Sequence, residues 1–247
     1  MFPIAEATSV SDDVARHHRS YRNRSNSPPH SVSAPQYLGP TVNHPPPKCY
    51  AIVPAAGRSM RMGSAKLLLP WGDGLLIDQV LGVWADSEVD EIVVVVRKED
   101  RELSDACHRH PVRLVHPKVD PQDMKASVQW GLREIETLFD PSDRDRCFIA
   151  PADLPNLSCE IIDRLIETES DASTIVVPRF GDRQGHPVLL PWPLMAAVFQ
   201  LRAGEGVDQV VKRHPKWSVS FPAGQRVTDV DTPEQYERLR RNSRETG

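Results

Sequence analysis

The residues with the clearest capacity for chemistry fall in three loops. The first reads Ala55-Ala56-Gly57-Arg58-Ser59-Met60-Arg61-Met62-Gly63-Ser64-Ala65-Lys66 and directly follows an apolar run, Cys49 to Pro54. Small residues let backbone N–H groups approach an anion closely. Arg61 and Lys66 can then neutralise phosphate oxygens. No Gly-Lys-Ser/Thr triplet follows the second glycine, so this is not a Walker loop, and without Gly-x-Gly-x-x-Gly it is not a dinucleotide fingerprint. By spacing alone it suits a phosphate cradle or an ordinary basic turn. The second loop, Ala150-Pro151-Ala152-Asp153-Leu154-Pro155, sets an Asp just past a buried strand between two stiffening prolines. That placement suits a metal ligand or a turn-capping Asp. The third, Thr228-Asp229-Val230-Asp231-Thr232-Pro233-Glu234, carries two carboxylates flanking one residue. Alternate strand residues point the same way, so Asp229 and Asp231 can share a side and complete a Mg²⁺ site. Equally, Asp231 or Thr232 can cap a helix that starts at Pro233. His186 in Gly185-His186-Pro187 reads first as a satisfied polar residue. Cys107, His108 and His110 have loose metal-like spacing but close a charged, exposed helix.

These loops need a scaffold that brings them to one edge. Cys49 to Pro54 and Glu91 to Val96 read as buried strands, continuous and apolar as when both faces are covered. Further strands are predicted at Val112 to Val115, Cys147 to Ala150, Thr174 to Val177, Val188 to Leu190, Val219 to Phe221 and Arg226 to Val230. Helical spacing appears at Leu75 to Ala85, Asp100 to Arg109, Leu194 to Leu201 and Val207 to Val211. From Ala126, residues Val128, Leu132, Ile135 and Leu138 mark one apolar helix face. Ser158 can cap the next helix, with Ile161, Ile162, Leu165 and Ile166 facing inward. Strands alternating with helices predict an α/β fold: a three-layer α/β/α sandwich on a mostly parallel sheet. Ligands in such folds sit outside the carboxyl ends of the strands, which is where the three loops fall.

Composition narrows the function further. The chain has 247 residues, 39% hydrophobic and 26% charged, with a net charge of −4. That balance argues against a dedicated nucleic-acid binder. The longest purely aliphatic run, Ile92 to Val96, is far short of the ~20 residues that a membrane helix needs. No secretory signal is visible, and Cys49, Cys107, Cys147 and Cys159 form no Cys-x-x-Cys pair, so the expectation is a cytoplasmic protein with reduced thiols. Eight of the 23 prolines precede Lys48, in a stretch rich in Ser, Arg and His with no helix or strand period. Residues 1–47 are therefore expected to be a disordered tail and residues 48–247 the folded domain.

The loop AAGRSMRMGSAK resembles the signature of the MobA-like NTP transferases, a nucleotidyltransferase family. LLLPWGDGLLIDQVL, ADLPNL, GHPVLL and DVDTPEQY extend the resemblance, in the family's order, over about residues 49 to 240. The branch it is most similar to is molybdenum cofactor cytidylyltransferase, in which Gly-His-Pro and Asp-x-Asp-Thr-Pro are typical. The resemblance implies a Rossmann-like, GT-A-like nucleotidyltransferase fold. It implies that Ala55, Ala56, Gly57, Arg58, Ser59, Arg61, Gly63 and Lys66 hold the nucleoside triphosphate, with Arg61, Lys66 and Asp153 catalytic. Asp153 matches the Mg²⁺ aspartate and Asp229 the second metal position, with Asp231 beside it. Ser127 is implied near the nucleotide or a pterin, and His186 near the acceptor. Three residues depart from the pattern: Ala152 stands where Gly is usual, Leu154 where Met is common, and Asp123 where Gly precedes Met124. The implied reaction moves CMP from CTP, or another nucleotide from its triphosphate, onto a phosphorylated acceptor of the molybdopterin type and releases pyrophosphate. A molybdenum hydroxylase apoenzyme is the implied protein partner. The alternatives are transfer to a sugar or polyol phosphate, and a non-catalytic carrier that delivers the cofactor to a dehydrogenase. A carrier has no need for Lys66, Arg61 and Asp153.

Overall fold

A computed structural model describes residues 45–57 and 65–245. The expected tail up to residue 44, and Arg58, Ser59, Arg61 and Gly63 of the first loop, lie outside the described residues.

Each expected strand but one forms, and each is buried for a visible reason. β1 (Cys49–Pro54) is flanked by β4 (Glu91–Val95) and β6 (Arg146–Ile149), both parallel to it. Its first amides are anchored by carboxylates: Lys48 N donates to Asp145 Oδ1 at 2.8 Å and Cys49 N to Asp90 Oδ2 at 2.7 Å. Between β1 and β4 a short hairpin, β2 (Pro70–Trp71) with β3 (Gly74–Leu75), turns at Gly72, whose φ of 56° favours glycine. The remaining strands are β5 (Arg113–Val115), β7 (Ile175–Phe180), β8 (Arg183–Gln184), β9 (Val188–Pro191) and β10 (Lys216–Phe221). Among the described residues the main sheet runs β10-β7-β9-β6-β1-β4-β5, with β8 paired to β7. It is mostly parallel, and β9 lies antiparallel between β6 and β7.

The period of two divides the sheet's side chains between two cores. Ala51, Val53, Ile92, Val94 and Phe148 face one core with helices α1 (Leu76–Ala85), α2 (Arg101–Cys107), α4 (Cys159–Ile166) and α7 (Pro233–Glu245). Tyr50, Ile52, Val93, Val95 and Ile149 face the other, with α3 (Met124–Phe139), α5 (Met195–Phe199) and α6 (Asp208–Arg213). The three-layer sandwich is therefore present. Among the described residues no helix is long and apolar enough to cross a membrane.

Three local expectations need correction. Leu138 is 46% exposed, although Val128, Leu132 and Ile135 are buried. At ~100° per residue, position 139 rather than 138 returns to that face, and Phe139 packs there against Tyr50 with ring centroids 5.7 Å apart. Ser158 stands before α4, but its side chain makes no capping hydrogen bond. Arg226 to Val230 is not a strand. Its polar backbone bonds to the loop after β6 instead: Asn156 Nδ2 donates to Arg226 O at 2.8 Å, Thr228 N to Asn156 Oδ1 at 2.9 Å, and Val230 N to Asp153 O at 3.0 Å.

Gly131 of α3 shows how closely the layers pack. A Cβ there would lie 2.8 Å from Ile52 Cγ2 of β1. Ile52 is fully buried and β-branched, so it has little freedom to move. Gly131→Ala gains ~1 kcal/mol of helix propensity but overpacks the core. The expected net result is a loss of about 1–2 kcal/mol. Thermal unfolding checks this: a Tm equal to or above that of the parent would contradict the packing described.

Candidate active site

The carboxyl edge of the sheet gathers segments far apart in the chain. β1 delivers Ala55 and Ala56, both buried, and exposed Gly57, and Ala55 N donates to Val95 O of β4 at 2.9 Å. β6 delivers the Pro151–Leu154 loop, to which the segment before α7 is bonded through Val230. Because β9 is reversed, its beginning rather than its end lies at this edge, with Val188 opposite Ile149. That reversal brings His186, which precedes a strand, to residues that follow strands. The His186–Pro187 peptide is cis.

Lys66 joins these segments. It opens a short 3₁₀ turn (Lys66–Leu68), and its Nζ donates to Asp153 Oδ2, to Val230 O at 2.8 Å and to Asp231 Oδ1 at 3.2 Å. The Asp153 and Lys66 side chains are only 13% and 15% exposed. Burial raises the Asp153 pKa above its ordinary value; Lys66 opposes that rise, and Asp229 and Asp231 add to it. The other oxygen, Asp153 Oδ1, is buried and has no hydrogen-bond partner among the described residues. His186 is exposed but crowded by its neighbours; loss of water lowers its pKa, while Asp229 and Asp153 pull it the other way. Thr232 accepts from Gln235 N at 3.3 Å, and the Gln235 side chain accepts from the amides of Asp231 and Thr232 at 2.7 and 2.9 Å. This capping box fixes the start of α7 and with it the Asp231 backbone.

Asp229 and His186 line an open cleft of about 840 Å³. Apolar Ile149, Val177 and Val188 meet polar Lys125 and Arg226 in it. Asp123 and Met124 also line it, at the start of α3, where the Asp123 carboxylate caps Ala126 N at 2.7 Å. Ser127 is not among the lining residues. It is buried one turn into α3, with its hydroxyl 3.4 Å from Asp123 O. Cys107 is a core thiol whose pKa burial raises to about 12, and His110 bonds to Asp78 at 2.9 Å. Among the described residues no three His, Cys, Asp or Glu side chains enclose a metal position. Lys125 lines the cleft, and Arg97 follows the buried β4 run directly, at the same edge as the three loops; neither belongs to a motif that singles it out in the sequence.

A small-residue loop, a cation and a partly orphaned carboxylate at the carboxyl edge of a parallel sheet are the equipment of a nucleotide-handling transferase. The chain belongs to the MobA-like NTP transferase domain family, whose model matches residues 51–217, and it is a nucleotidyltransferase. A molybdenum cofactor cytidylyltransferase from Escherichia coli (strain K12) is 24% identical over 186 residues, covering 75% of this chain and 92% of its own. A probable molybdenum cofactor guanylyltransferase from Bacillus mycoides (strain KBAB4) is 28% identical over 204 residues, covering 76% and 94%. Among solved structures, a nucleotidyl transferase from Methanothermobacter thermautotroptrophicus superposes with a TM-score of 0.68 at 22% identity, covering 81% of this chain and 99% of its own. Rv0371c from Mycobacterium tuberculosis, solved in complex with manganese, gives a TM-score of 0.62 at 22% identity, covering 78% and 97%.

Proposed function

We propose that this nucleotidyltransferase moves CMP from CTP onto a phosphorylated acceptor of the molybdenum cofactor type. An acceptor phosphate oxygen attacks the α-phosphorus in line, the bond from that phosphorus to the β-phosphate bridging oxygen breaks, and pyrophosphate leaves. The observation that carries this reading is Lys66, held at the sheet edge beside the Ala55–Gly57 loop by Asp153, Val230 O and Asp231. A cation so positioned needs little reorganisation to stabilise charge on the phosphates. The names of the two curated relatives support the acceptor class. The cleft beyond Asp229 and His186 offers that acceptor apolar walls and cationic side chains.

The residues also fit a divalent cation. Asp153 Oδ1 is a buried oxygen without a partner among the described residues, and Asp229 is near enough to raise the Asp153 pKa. Mg²⁺ is commonly held by one or two carboxylates plus substrate phosphates and waters, so it needs no three-residue cage. Asp153 and Asp229 would hold the ion, which would supply Lewis-acid neutralisation of phosphate charge. Asp231 is bonded to Lys66, so we assign it to positioning that cation as well as to the ion's surroundings. Arg61 would add a second cation from the first loop.

The test is pyrophosphate release from CTP, GTP, ATP and UTP with purified molybdenum cofactor. CTP is expected to exceed GTP by at least ~10-fold in kcat/KM, because the Ala56 methyl would crowd a purine and steric discrimination by one methyl has about that size. Equal values would remove the base preference and leave nucleotidyl transfer standing. No pyrophosphate release with any triphosphate would remove the reading.

A further inference from the structure

The main sheet ends on an open strand. β10 has β7 on one side and no strand on the other among the described residues, and it is six residues long, whereas β5 at the opposite edge has three. Ile175 N donates to Pro215 O at 3.0 Å and Gly181 N to Phe221 O at 3.3 Å, so the odd-numbered backbone groups of this stretch face β7. Backbone groups alternate in direction along a strand, so the N–H and C=O groups of Lys216, Ser218 and Ser220 point outward. Lys216 and Ser220 are exposed and Ser218 is half-buried. The Arg164 guanidinium reaches Ser220 O at 3.3 Å, and a carbonyl has a second lone pair for another donor.

Edge strands are usually blunted by proline, by a bulge or by charges along their length. β10 contains no proline, its pairing with β7 is unbroken from Lys216 to Phe221, and its one charge, Lys216, stands at its first position. Trp217, large and apolar, is 59% exposed.

We propose that β10 pairs with β10 of a second copy of this chain, antiparallel about a two-fold axis through Ser218, making one sheet continuous across two subunits. The strand is complementary to itself in that register. Ser218 faces the second copy's Ser218, and Lys216 faces its Ser220, so the outward backbone groups meet one another in three hydrogen-bonded residue pairs. Trp217 falls opposite the second copy's Val219 in a close, non-hydrogen-bonded pair, an aromatic ring against a β-branched side chain. Its diagonal neighbour is the second copy's Phe221. In each chain Arg164 sits over the Phe221 ring, 4.4 Å from the centroid, so the exposed indole gains both an apolar wall and a guanidinium. The two Lys216 residues stand four positions apart along the pair, roughly 14 Å, beyond the ~8 Å screening length at physiological salt. A partner of different sequence would have to reproduce this symmetry, which two identical strands already have.

Sedimentation equilibrium of the full chain over the micromolar range tests this. The expected mass at the upper end is twice the 27.7 kDa of one chain. Trp217→Lys sets like charges diagonally across the axis, and Ser218→Pro removes an outward N–H while leaving the bonds to β7. Each should weaken the dimer at least ~30-fold and keep the parent's circular dichroism. Oxidative cross-linking reads the register. Ser218→Cys sets two thiols on the axis with Cα atoms about 5.5 Å apart, within disulfide reach, and should give a covalent dimer. Ser220→Cys sets them roughly 14 Å apart and should not. A monomeric parent throughout the range overturns the proposal. So does a parent-strength dimer in a folded Trp217→Lys variant, or cross-linking as fast at position 220 as at 218.

Discussion

Lys66→Met should lower kcat/KM by about 1000-fold, the upper range for removing one preorganised charge-stabilising group. The size follows from its setting. Lys66 Nζ is held by Asp153, by Val230 O at 2.8 Å and by Asp231 at 3.2 Å, so the cation already lies where phosphate charge is proposed to develop. Lys66→Arg keeps the charge but replaces a compact ammonium with a planar fork, and should recover only part of the loss. A pH effect accompanies the change. Lys66 lowers the Asp153 pKa against the larger effect of burial. Without Lys66 that pKa rises further, so Asp153 stays protonated to higher pH. The acid limb of the residual pH–rate profile should therefore shift upward. A Lys66→Met enzyme with near-parent kcat/KM would remove Lys66 from the mechanism.

Asp153→Asn should cost at least ~100-fold in kcat, since it removes the charged oxygen proposed to hold the divalent cation. The fold is expected to survive the substitution. Because burial holds the Asp153 pKa above its unfolded value, the stability linked to its protonated form is lost as pH rises through the folded-state pKa. A neutral isostere keeps an oxygen that can accept from Lys66 and removes the cost of burying a charge. The variant should melt at or near the parent's Tm while turnover collapses. Near-normal turnover at ordinary Mg²⁺ would defeat the proposed chemistry whatever the acceptor.

How far these features were legible in the sequence depended on whether the signal was local. β1, β4 and β6 announced themselves because strands covered on both faces need continuous apolar runs. The start of α7 was legible from Pro233 after a capping Thr232. Direction was not: the Val188–Pro191 run gives no hint that β9 lies antiparallel, yet that reversal sets His186 at the sheet edge. The hairpin at Gly72 and the β8 strand are two residues long, too short to show a period. Arg226 to Val230 has a strand's composition but satisfies its backbone through Asn156 and Asp153, a solution visible only once the β6 loop is in place. For the site, each loop was found separately. Their meeting at Lys66 joins positions 87 and 165 residues apart, which no local pattern encodes.

The segment leading into α7 and the helix itself hold the chain that follows the first loop at two points: Lys66 through Val230 and Asp231, and the hairpin through Tyr236 of α7, whose hydroxyl donates to Pro70 O. A ribosome makes the first loop long before it makes this clamp. A nascent chain that stops short of Val230 therefore carries the first loop and Asp153 but lacks the other two groups that hold Lys66. Lys66 therefore reaches its finished setting only once the C-terminal segment has been made and packed.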